Sequence, residues 1–110
     1  MTGSSEVEDF IEKLNKTELP ILVEGSNDKN ALIKAGVKNK IYTLSRKPLY
    51  LIAEQLSNIK EIIFLFDNDK AGRELSHKMS VELSRYGVKI NKKFQIMFKK
   101  LHYTHVEGLR

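Results

Sequence analysis

Three carboxylates lie at the ends of apolar segments. Leu19 to Val23 runs into Glu24 and Gly25, and the unbroken apolar run Ile62 to Phe66 leads into Asp67, Asn68 and Asp69. An apolar run bounded by turn residues suits a strand buried on both faces, as in a parallel sheet between helices. Acids at the carboxyl ends of such strands sit where open α/β sheets place their ligands. If the two strands are neighbours, Glu24, Asp67 and Asp69 converge on one rim, where unpaired carboxylates repel and raise one another's pKa values. A divalent cation relieves that repulsion. An all-oxygen set of one to three carboxylates favours magnesium or manganese over zinc. In an extended segment side chains at i and i+2 point the same way, so Asp67 and Asp69 can face one ion.

Each group also has a plainer reading. Glu-Gly after a strand is an ordinary turn, and Asp-Asn-Asp before a helix is a common N-capping cluster favoured by the helix dipole. An EF-hand loop is rejected, because Ala71 and Lys78 occupy its fifth and twelfth positions, where oxygen ligands are needed. Receiver-type phosphoacceptors also carry acids after their first and third strands, but they have a fifth strand and a further lysine loop. Haloacid-dehalogenase-type phosphatases place Asp-x-Asp after the first strand, which does not fit here. His102, His105 and Glu107 would join the rim only if the C-terminal tail folds back.

The elements that must position these groups follow from periodicity. Ser5 and Glu8 read as a capping box opening an N-terminal helix over 5–16, with Val7, Phe10, Ile11 and Leu14 as its apolar stripe. Leu19 to Val23 is the first strand, followed by a helix from about Asp28 to Ala35, capped by Ser26 or Asn27 and closed by Gly36. A second strand over Ile41 to Leu44 leads through Ser45, Arg46 and Lys47 to a helix with Pro48 at its first position. Lys60 to Phe66 is the third strand, and a long helix spans Lys70 to Tyr86. Val88 to Phe98 alternates, with Ile90, Phe94, Ile96 and Phe98 sharing one parity, and predicts a half-exposed edge strand. Residues 99–110 show no period and are expected to form a C-terminal extension. Strands alternating with helices at this spacing predict a single three-layer α/β/α domain. Its sheet is four-stranded, mainly parallel and Rossmann-like, with a core over about 19–98.

Composition narrows the class. The 110 residues contain no cysteine, which excludes disulfides and Cys-based zinc sites, and no apolar run long enough to span a bilayer. The expectation is a cytoplasmic protein with no membrane partner. Lys and Arg number 19 against 14 Asp and Glu, a formal charge of +5, with basic residues crowding the last quarter. Such an excess recruits polyanions, and it also suits a plain solvated face.

Val23-Glu-Gly-Ser-Asn-Asp28, followed some forty residues later by Phe66-Asp-Asn-Asp-Lys-Ala-Gly-Arg73, closely resembles the paired signature motifs of the Toprim domain. That family includes topoisomerases, bacterial-type primases, nucleases, repair proteins and ribosomal-RNA maturases. The chain looks most like its small stand-alone members from bacteria and archaea. The resemblance implies a Toprim sheet, magnesium (or manganese) as cofactor and nucleic acid as partner, with a protein partner or a second copy also expected. It implies Glu24 as the general acid or base that shares the ion, and Asp67 and Asp69 as the metal pair. Gly25 matches the turn glycine and Asp28 a secondary acidic position. Gly72 matches a site of close backbone approach, and Arg73 a phosphate contact. Arg46 and Lys47 are further candidates for nucleic-acid contact. Ser26 departs from the family, standing where many relatives have lysine, and the Ser45 to Pro48 loop lacks a glycine that some members carry. The four tyrosines read as packing or surface residues, and no topoisomerase tyrosine domain or primase zinc domain is expected. The implied activity is magnesium-dependent phosphodiester processing by a small RNA or DNA nuclease. The alternative is a non-catalytic module that binds nucleic acid or a protein.

Overall fold

Strand parity decides which helix layer each side chain meets. The computed structural model describes residues 2–101 and 106–109. Along these run α1 (Thr2–Thr17), β1 (Ile21–Val23), α2 (Ser26–Ala35), β2 (Ile41–Thr43), α3 (Leu49–Gln55), β3 (Glu61–Phe64), α4 (Lys70–Ser84), β4 (Lys89–Asn91) and α5 (Lys93–Lys100), then a 3-10 turn at Val106–Leu109. Ile21, Val23, Ile63 and Leu65 point to one face and pack with Phe10, Leu14, Leu32, Phe94, Phe98 and Val106. Leu22, Ile62, Phe64 and Phe66 point to the other and pack with Ile52, Leu56, Met79 and Leu83. The α1, α2 and α5 side chains therefore cover one face and those of α3 and α4 the other, giving the expected three-layer α/β/α arrangement. Burial on both faces explains why β3 and its continuation read as an unbroken apolar run.

The sheet order is β2-β1-β3-β4, and every pairing is parallel. From β1 the chain steps outward to β2, then crosses back past β1 to reach β3. The rim between β1 and β3 is thus the switch point at which such sheets bind ligands. Glu24 follows one of these strands and Asp67 the other.

Several boundaries differ from the sequence reading. α1 begins before Ser5, so the Ser5–Glu8 pattern does not mark its start. α2 starts at Ser26, with Gly25 rather than Ser26 or Asn27 at the N-cap, and Pro48 is the N-cap of α3 rather than its first residue. Gly36 does close α2, in the left-handed region with φ 105°.

The main correction concerns Val88 to Phe98. Only Lys89–Asn91 pairs as an edge strand, and Lys93–Lys100 is a helix. Phe94 and Phe98 are buried and Met97 and Leu101 pack beside them, a spacing of i, i+3, i+4 and i+7, while Ile96 is 57% exposed. Residues four apart share a face in a helix as well as in a strand, so the two phenylalanines fit both periods. The difference can be measured. Phe98→Ala should lower unfolding free energy by about 3–5 kcal/mol. Ile96→Ala should stay within about 0.5 kcal/mol, whereas a strand with both residues on its buried face would make both substitutions costly in denaturant titrations.

Candidate functional site

The register that sets Leu22 beside Phe64 carries Glu24 level with Phe66, one step from Asp67. The Asp67 backbone N–H donates to Glu24 Oε1 at 3.2 Å, bridging the ends of the two central strands. Glu24 is half-buried, and its carboxyl is raised above its ordinary value. Burial is the main cause, the hydrogen bond from Asp67 opposes it, and repulsion from Asp67, Asp28 and Asp69 adds to it.

The other acids are held by backbone donors. Asp28, 8% exposed, accepts the Gly25 N–H at Oδ2 (3.0 Å), the reciprocal half of a capping box. Asp69 is the N-cap of α4, its Oδ1 accepting the Gly72 N–H at 2.7 Å. Asp67 Oδ1 accepts the Val106 N–H at 2.8 Å, so the tail does fold back onto the rim. Among the described residues no three carboxylate or imidazole groups stand close enough to enclose an ion. Magnesium commonly takes one or two carboxylates and completes its shell with water and substrate phosphate, so these oxygen donors fit it without a closed cage.

A cleft of about 760 Å³ brings together Glu24, Gly25, Asp28 and Asp67 with Arg46 and Lys47 from the loop after β2, and with Glu107 from the tail. Ser45 and Arg46 both have positive φ, 46° and 59°, which non-glycine residues rarely adopt. Their turn is pinned to the sheet: Ser45 N–H donates to Glu24 O, and Lys47 N–H to Leu44 O. Arg73 and Gly72 lie instead on a second groove, which shares only Asp67 with the first; Asp69 lines neither. His102 and His105 fall outside the described residues.

Two glycines behave differently from one another. A Cβ on Gly72 would overlap the Asp67 carbonyl oxygen and lie 3.1 Å from Asp69 Oδ1, so only glycine lets α4 start this close to the acidic loop. Gly25 is extended and a Cβ there would meet nothing within 4 Å, so the turn itself does not demand glycine.

One residue went unnoticed in the sequence. Gln95, from α5, accepts the Phe66 N–H at 2.7 Å and donates to Phe66 O at 2.8 Å and to Asn68 Oδ1 at 2.9 Å. Its amide stands in for the strand partner that Phe66 lacks once β4 has ended. Only a helical reading of 93–100 would have placed it there.

A family model for the Toprim domain matches residues 19–92. The chain belongs to the Toprim family. Toprim domains are associated with metal-dependent nucleic-acid processing and generally bind magnesium. A UPF0292 protein of Pyrococcus abyssi is 35% identical over 93% of this chain and 77% of its own length. One from Methanocaldococcus jannaschii is 38% identical over 76% of this chain and 66% of its own. A solved structure of a protein from Aquifex aeolicus superposes with a TM-score of 0.82 at 34% identity, covering 91% of this chain and 94% of that one. In this Toprim fold the glutamate motif and the aspartate motif meet at the β1–β3 rim.

Two measurements test the site's physics in metal-free protein. Gln95→Ala leaves the Phe66 backbone groups without their side-chain partner and should cost about 1–3 kcal/mol in denaturant unfolding. Glu24→Gln should raise Tm at neutral pH. The folded state of the native protein binds the Glu24 proton more tightly than the unfolded chain does. Its stabilising contribution is therefore full below the unfolded pKa and lost as pH rises through the raised one. The Tm difference between the two proteins should shrink towards zero as pH falls below the ordinary carboxylate range.

Proposed function

We propose that this chain is a magnesium-dependent phosphodiester-processing protein that cleaves RNA or DNA strands. The observation that carries this reading is the bridge from Asp67 N–H to Glu24 Oε1, which sets the glutamate against the aspartate loop at the sheet's switch point. Asp67 and Asp69 would hold the ion, with Glu24 as a further oxygen donor. When bound, magnesium supplies Lewis-acid polarisation of the scissile phosphoryl oxygen and offsets the charge that develops there. Glu24, its carboxylate partly withdrawn from water, holds or moves a proton at the attacking or leaving oxygen. Arg46 and Lys47, in the same cleft, neutralise a neighbouring phosphate, and backbone hydrogen bonds hold the left-handed turn that carries them. Gln95 and Gly72 fix the backbone that carries the aspartates.

A second reading, a binding module without turnover, is favoured by one observation: the Val106 N–H already occupies an Asp67 oxygen. The two readings separate on labelled single- and double-stranded RNA and DNA incubated with and without magnesium. The nuclease reading expects magnesium-dependent products. It also expects Glu24→Gln to slow cleavage by about 100-fold or more while the far-UV spectrum and cooperative unfolding persist. Unchanged cleavage in that variant would remove Glu24 from the mechanism, and binding with no product on any substrate would favour the module.

A further inference from the structure

We propose that the second groove, between the amino-terminal half of α4 and the exposed side of α5, binds a single-stranded polynucleotide as it leaves the acidic rim. This rests on the phosphodiester reading above and adds to it the path of the strand. The groove holds about 220 Å³. Arg73 and His77 line it from α4, and Ile96 and Lys99 from α5, with Lys92 just ahead of that helix. The spacing Lys92, Ile96, Lys99 is i, i+4 and i+7, so these side chains form one stripe facing Arg73 and His77, which are themselves four apart.

Charge and apolar character both point to the occupant. The ion pairs among the described residues use Lys13, Lys16, Arg85 and Lys89, and none involves Arg73, Lys92 or Lys99. Three cations around one groove, with no carboxylate ion pair of their own, suit a phosphate chain. Among them Ile96 stays 57% exposed, on a helix whose other large apolar side chains are buried or half-buried. An unpaired base can lie against Ile96 and the Arg73 guanidinium plane, whereas a duplex hides its base faces. Asp67 lines this groove and the cleft that holds Arg46 and Lys47. A strand laid through both would therefore cross the carboxylates with cations on either side.

The test is fluorescence anisotropy in EDTA with labelled oligodeoxyuridylate, oligouridylate and a mixed-sequence duplex of about 12 nucleotides, near the span of one small single-strand site. Neutralising Arg73, Lys92 and Lys99 together to Gln should flatten the slope of log Kd against log salt by about 2 on single strands, at about 0.7 per phosphate contact. The matched control neutralises Lys38, Lys40 and Lys60, exposed residues at the amino ends of the strands, and should leave the slope nearly unchanged. Ile96→Ala should weaken single-strand binding several-fold and spare the duplex. A larger effect on one of the two single strands names the sugar that the groove takes. Equal losses in the groove and control triples would overturn the proposal while magnesium-dependent cleavage left the catalytic reading standing. Equal losses on duplex and single strand would overturn the single-strand assignment. If the unmodified protein bound neither single strand, the groove proposal would fall, and cleavage in magnesium would decide the phosphodiester reading separately.

Discussion

The Leu65 N–H donates to Leu22 O, tying the continuation of β3 to β1. Backbone groups alternate sides along an extended chain, so the next pair, on Phe66, must turn towards β4, which ends at Asn91. A buried N–H and C=O with no partner would be costly, and the Gln95 amide takes both. With Phe66 held in this way, the Asp67 N–H turns back to Glu24, and α4 starts one turn later beneath the Asp67 carbonyl, where only Gly72 fits. The geometry of the acidic rim descends from this one requirement at the end of a strand.

The acids of the rim do structural work as well as carrying charge. Asp69 caps α4, Asp28 braces the start of α2, and Asp67 receives the tail at Val106. Each carboxylate is thereby oriented before any ligand arrives, as a preorganised site requires. Burial raises the Glu24 carboxyl above its ordinary value, the hydrogen bond from Asp67 opposes it, and repulsion from Asp67, Asp28 and Asp69 adds to it. A cation would relieve that repulsion, which links the electrostatics of the folded chain to the metal dependence of the Toprim family.

The tail closes one side of the rim. Val106 is buried in the core layer formed with α1, α2 and α5, and Glu107 stands beside the cleft. The rim is therefore bounded by Glu107 of the tail on the side of α2 and by Lys92 and Lys99 on the side of α5.

Much of the fold was legible in the sequence, because strands buried on both faces leave unbroken apolar runs and helices leave a stripe at their own period. The order of strands and helices, the parallel sheet and the acidic strand ends all followed from such local patterns, and the motif pair pointed to the family. Residues 93–100 were misread because Phe94 and Phe98 satisfy both periods. Met97, an apolar residue of the opposite parity, was the sign of a helix. Only the tertiary structure could decide which strands are neighbours, and so whether Glu24 meets Asp67. It also placed Arg46 and Arg73 in different grooves, gave Gln95 to Phe66 and brought Val106 to Asp67. The hydrogen bonds that join Glu24, Gln95 and Val106 to Phe66 and Asp67 link residues from 29 to 43 positions apart. They are set by how layers pack and where a strand runs out of partners, and a one-dimensional pattern of residues encodes neither directly.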